Sequence, residues 1–175
     1  GDYVRQDIQA GGMTIEFYYG RKHQAVMEAA GAADAVRAVV DYCTEHYGAL
    51  SFGTGDTLKL IQSRVAGGGY AVDGASLLNE EDFTTANLDD TGKGAIPGEV
   101  FIHELVHQWW GLGNMFDTAD ETSPWSSEGL TVYTTYRIVK ELYGEDYAQK
   151  YYVDQWRQEV DDYFLNFYVR RPEYL

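Results

Sequence analysis

The segment His103-Glu104-Leu105-Val106-His107 holds two imidazoles four positions apart with a carboxylate directly after the first. On a helix of 3.6 residues per turn, positions i and i+4 share a face. Both rings then reach one tetrahedral Zn²⁺ at about 2.0–2.1 Å each. Glu104 leans toward the same site without having to bind metal. There it takes the proton of a zinc-bound water and passes it to a leaving amine. Val100, Phe101 and Ile102 before the motif, and Trp109 and Trp110 after it, place the pair on a buried helix. Ionisable groups are costly there unless paired or metal-bound.

A catalytic zinc needs a third protein ligand and one open position. The other histidines, His23 and His46, both lie upstream, so the candidates are the acidic residues Asp117, Asp120, Glu121 and Glu128. The first three fall in a polar stretch, 117–124, where solvation accounts for them. Glu128 opens an apolar helix in Trp125-Ser126-Ser127-Glu128-Gly129-Leu130, and a carboxylate on a rigid element can be aimed at the ion. Glu128 is preferred, with Glu121 in reserve.

With these residues in place, a resemblance can be stated. His-Glu-Leu-Val-His-Gln-Trp-Trp-Gly at 103–111 and Trp-x-x-Glu-Gly at 125–129 resemble the zinc aminopeptidases of the aminopeptidase N type, gluzincins with a thermolysin-like catalytic domain. The likeness covers roughly residues 35 to 145. It implies one Zn²⁺ held by His103, His107 and Glu128, with Glu104 as general base, and zinc-dependent hydrolysis of a peptide substrate. The family spaces its second histidine and third ligand by eighteen residues, whereas twenty (108–127) intervene here. The connecting loop is longer by two, an insertion that a surface loop absorbs.

Two further departures bear on specificity. The family's substrate-edge strand carries Gly-Ala-Met-Glu-Asn, whose glutamate captures a free amino group. The comparable stretch here is Gly68-Gly69-Tyr70-Ala71-Val72-Asp73-Gly74, with alanine at the glutamate's place. Its glycines allow close backbone approach, so Gly68, Gly69, Tyr70 and Ala71 are expected to bind an extended peptide as an added strand. Asp73, Glu80 and Glu81 are substitute partners for the amine. The tyrosine that stabilises the oxyanion in the family lies well downstream of the third ligand. Tyr133 and Tyr136 are too near Glu128 to match it, and helix packing accounts for them.

The elements that must position this chemistry follow from pattern. Residues 13–20 alternate and end in glycine, as a strand does. Residues 25–47 carry helical apolar spacing at Val36, Val39, Val40 and Cys43, with Gly31 inside and Gly48 as a stop. A strand is expected over 57–66, a second apolar segment from Tyr70 to Leu78, and a loop over 84–98. Helices are expected from Glu99 to about Trp110, from Ser126 or Ser127 to about Tyr143, and from Glu145 to about Tyr168. The fold class is α+β: a small twisted sheet in the N-terminal half packed on the motif helix, then a helical C-terminal half. Residues 1–175 are read as a single catalytic-domain fragment, β-containing over 1–95 and helical over 96–175.

Composition bounds the rest. Of 175 residues, 45% are hydrophobic and 23% charged, which is ordinary for a globular chain. The net charge of −15 repels phosphate backbones and anionic membranes, so no nucleic-acid partner is expected. No run approaches the roughly 20 apolar residues that span a bilayer, so no membrane insertion by this stretch is expected. The lone Cys43 excludes an internal disulfide. A first residue other than methionine is the expectation of a piece cut from a larger parent chain. The alternative to an active peptidase is a zinc-binding but inactive module for peptide binding or structure. Such a module would sit in a larger, membrane-tethered protein as an extracytoplasmic domain.

Overall fold

Alternation builds the sheet. In the computed structural model, β1 (Tyr3–Ala10) and β2 (Met13–Gly20) send Ile8, Ala10, Met13, Ile15, Phe17 and Tyr19 to one buried face. The residues described are 2–50, 56–64, 69–80, 99–113, 125–171 and 173. β3 (Thr57–Ser63), β4 (Gly69–Val72) and β5 (Ala75–Asn79) complete five strands in the order β1-β2-β3-β5-β4. The β1–β2 and β4–β5 pairs are antiparallel hairpins, while β2–β3 and β3–β5 are parallel, so the sheet is mixed. β4 is an edge strand. So is β1, which alternates along its whole length but reaches full burial only at Ile8 and Ala10; an edge strand needs few apolar residues, so its sequence carries little strand signal.

α1 (Gln24–Ala29) and α2 (Ala32–Tyr47) replace the single helix expected over 25–47. Gly31 takes a left-handed conformation (φ +67°) between them, which ends one helix and starts the other. α2 lays Ala35, Val36, Val39, Val40 and Cys43 into the core, packing on β1 and on α3 (Glu99–Val106). Each of the three valines, once buried, stabilises the packing by about 1.5–3 kcal/mol. Trp109 is buried, and its indole N–H donates to the Gly48 carbonyl at 2.8 Å, fixing the end of the motif segment to the end of α2.

Several boundaries moved. β3 ends at Ser63 rather than 66, and the segment from Tyr70 to Leu78 is a hairpin turning at Asp73 and Gly74 rather than one strand. The motif helix gives way after Val106 to tight turns, Gln108 N–H to Leu105 and Trp109 N–H to Val106 carbonyls. The helix expected from Ser126 or Ser127 opens as a wide π turn, Trp125–Gly129, that carries Glu128 and runs into α4 (Leu130–Tyr143). The loop expected over 84–98 lies outside the described residues.

Backbone contacts divide the chain into Gly1–Ile138 and Val139–Leu175. The second unit is helical. After Gly144, α5 (Glu145–Ala148), a π turn (Gln149–Val153) and α6 (Asp154–Arg170) follow one another without a break. Tyr143, Tyr147 and Tyr151 stack at helical spacing, and Tyr152 meets Trp156 edge-on. No described helix is long and apolar enough to cross a membrane.

Candidate metal centre and cleft

α3 and the turn after it bring both motif rings to one side. His103 Nε2 and His107 Nε2 stand 3.1 Å apart, with the ring planes nearly perpendicular. The π turn carries Glu128 up to them, Oε2 at 3.3 Å from His103 Nε2 and Oε1 at 3.4 Å from His107 Nε2. One ligand atom from each of the three residues lies within 4.8 Å of the others. Two nitrogens bound tetrahedrally at about 2.0–2.1 Å are about 3.3–3.4 Å apart, so the observed spacing suits a single ion.

The protonation pattern suits one as well. His107 Nδ1 faces the Trp110 carbonyl oxygen at 3.0 Å and the buried Thr131 hydroxyl at 3.2 Å. A carbonyl only accepts, so Nδ1 carries the hydrogen and Nε2 keeps a lone pair directed at His103 and Glu128. For His103, burial lowers the pKa below its ordinary value, and His107 adds to this against the pull of Glu128. The neutral ring, which is the ligating form, is thereby favoured. Thr131 and the Trp110 carbonyl were not singled out from sequence. The available signal was spacing, since Thr131 lies three residues past Glu128.

A cleft of about 480 Å³ opens over this group, lined by both histidines, Glu104 and Glu128 on one side and Gly69, Tyr70 and Ala71 of β4 on the other. Gly111, Leu112 and Ser127 complete its lining. Glu104 is largely buried at the cleft floor. β4 passes so near it that a Cβ at Gly69 would run into the Glu104 Cγ, Cδ and Oε1 atoms. Any larger residue at 69 would thus have to displace the Glu104 side chain, so glycine here serves a close approach rather than a turn.

Comparison with known proteins follows the same lines. No model of a known protein family matches the chain. Leucine aminopeptidase 2 of Emericella nidulans is 34% identical over 84 residues, which is 46% of this chain and 13% of that protein. The Eremothecium gossypii enzyme of the same name is 39% identical over 51 residues, 29% of this chain and 8% of that protein. Among solved structures, an M1 zinc metallopeptidase from Deinococcus radiodurans superposes with a TM-score of 0.55 at 18% identity, covering 90% of this chain and 33% of that one. An aminopeptidase N family protein from Idiomarina loihiensis gives 0.57 at 15% identity, over 81% and 26%. The fold is that of the zinc aminopeptidases.

Within this aminopeptidase-like fold, the five-stranded mixed sheet and the helical C-terminal half are both present. The chain spans about a third of its solved relatives and a far smaller share of the curated ones. Of the residues singled out from sequence, His103, Glu104, His107, Glu128, Gly69, Tyr70 and Ala71 all line the cleft. Gly68, Asp117, Asp120, Glu121 and Glu81 lie outside the described residues. Glu80 faces elsewhere: it pairs with Lys22 and with Arg64 at 3.5 Å, which lowers its pKa, in a separate cavity that also includes Arg21 and Gln62.

Proposed function

We propose that the chain carries a zinc-dependent peptide-hydrolysing centre, aminopeptidase-like, with one Zn²⁺ held by His103, His107 and Glu128 and with Glu104 as the general base. The observation that carries this reading is the convergence of two imidazole nitrogens and a carboxylate, with the His107 tautomer locked in the ligating form. Residues 1–175 are read as one fragment of such a catalytic domain, β-containing over 1–95 and helical over 96–175. The activity of the longer protein is part of the proposal.

A bound Zn²⁺ supplies Lewis-acid polarisation of the scissile carbonyl and acidifies water. The protein's own groups do the rest. The backbone of Gly69 to Ala71 offers an open strand edge along which an extended peptide lies, facing the motif helix. Glu104, at the cleft floor, accepts a proton from the attacking water as its oxygen bonds to the carbonyl carbon. When the C–N bond breaks, the same carboxyl gives that proton to the departing amine. A mutant of the Deinococcus radiodurans relative has been crystallised with a Tyr-Ser-Ala substrate, which supports a peptide rather than another acyl compound here.

A second reading, a zinc-binding module without turnover, is favoured by Ala71, which stands where the resemblance places the amine-capturing glutamate. Comparing wild type with Glu104→Gln separates the two. Equal zinc in both, with peptide turnover lower in the variant by about 10²–10⁴-fold, is the outcome for a peptidase. Equal zinc and equally negligible turnover is the outcome for the inactive module. Absence of zinc from both, after dialysis against trace metal, contradicts either reading.

A further inference from the structure

Behind the cleft, one buried amide ties together the two elements that form its walls. Gln108 Nε2 donates to the Val72 carbonyl at 2.9 Å and lies 3.3 Å from both the Ala75 carbonyl and the Ser76 hydroxyl. Its Oε1 accepts from the Gly74 N–H at 3.1 Å. Ser76 in turn donates to the Glu104 carbonyl at 3.0 Å. Gln108 and Ser76 are both buried, so these groups have no water to fall back on. The hairpin turn thus hangs on the residue directly after the second motif histidine. The consequence appears on the other face, where Gly69 is held against the Glu104 side chain.

We propose that Gln108 is a positioning residue that sets the height and register of the β4–β5 hairpin above the motif helix. By doing so it fixes the distance between a peptide lying on β4 and the Glu104 carboxylate. This rests on the peptidase reading of the cleft. Only a carboxamide of this length offers the two donors and one acceptor that Val72, Ala75 and Gly74 require. Glutamate at 108 would still accept from Gly74 but would set negative charge against two carbonyl oxygens. Methionine would fill the volume with no hydrogen bond at all. Neither change touches a metal ligand.

The test uses the zinc-loaded full chain as wild type, Gln108→Met and Gln108→Glu. Amide hydrogen exchange over residues 69–76 is read alongside zinc content and kcat/KM for an extended pentapeptide and for a single aminoacyl anilide. The expected result is hairpin exchange faster by about tenfold or more, with β1–β2 exchange and zinc content unchanged. The pentapeptide kcat/KM falls about tenfold further than that of the anilide, because only the longer substrate depends on the strand. Unchanged hairpin exchange in a folded variant overturns the proposal, as does an equal fall for both substrates, which is the mark of general destabilisation. If the wild type with zinc bound hydrolyses neither substrate, the peptidase reading fails, and hairpin exchange alone decides the role of Gln108. Should Gln108→Met not fold, Gln108→Glu gives the same readouts.

Discussion

At the scale of single residues, the chemistry depends on groups that hold other groups still. His107 ligates only if its Nδ1 keeps the hydrogen, and that is arranged by the Trp110 carbonyl and Thr131. Thr131→Val removes one of the two and leaves the ring freer to tilt, so zinc affinity falls by about tenfold in a competition assay with a metallochromic chelator. An unchanged affinity would mean that the backbone carbonyl suffices. Gly69→Ala acts instead on Glu104, the proposed base. Its new methyl group meets the Glu104 side chain, and displacing a catalytic carboxylate by about an ångström costs on the order of 100-fold in kcat/KM. Zinc content measured on the same sample stays at the wild-type level. Wild-type kinetics in that variant would show that strand and carboxylate yield to one another. His103 and His107 stand out by their i, i+4 spacing and Glu104 by its place after the first of them, whereas Glu128 is preferred over Glu121 only because it opens an apolar helix. Thr131 does not stand out, because a threonine on a helix looks the same whether it braces a ring or merely packs.

Elements were legible where one face is apolar and illegible where it is not. β2 announced itself by alternation, and α2 by Val36, Val39, Val40 and Cys43. β1 escaped because an edge strand buries little, and the β4–β5 hairpin was read as one segment because Asp73-Gly74 is a short interruption in a short apolar run. The continuous helix over 25–47 was the clearest miss. Helical periodicity carried across Gly31, and periodicity says nothing about the φ of one glycine. The break has a test of opposite sign to the continuous helix. With Gly31 at φ +67°, Gly31→Ala lowers unfolding free energy by about 1–2 kcal/mol in a denaturant titration. Were the helix continuous there, alanine would raise it by about 1 kcal/mol.

For the whole molecule, the proposed metal would join parts of the first unit that sequence sets apart. His103 and His107 belong to the motif segment and Glu128 to a turn some twenty residues on, and the ion would bind the folded arrangement far better than the unfolded chain. An ion present at about 100 times its dissociation constant stabilises the fold by about 2.7 kcal/mol. Chelation therefore lowers the thermal midpoint of the wild type, and readdition of zinc restores it. In Glu128→Ala the shift largely vanishes, which calorimetry reads directly. An equal shift in wild type and variant would place the stabilising ion elsewhere. Cys43 provides an independent check on the core: burial raises its thiol pKa, so it resists alkylation in the native chain and reacts after denaturation.

The central claim is that one ion draws its ligands from residues 103, 107 and 128. X-ray absorption at the zinc edge, on wild type and on Glu128→Ala, measures that ligand shell most directly. The expected wild-type spectrum contains two imidazoles and an oxygen ligand at about 2.0–2.2 Å, and the variant loses the carboxylate or the metal. A wild-type spectrum without two imidazoles, or one that Glu128→Ala leaves unaltered, would contradict the account.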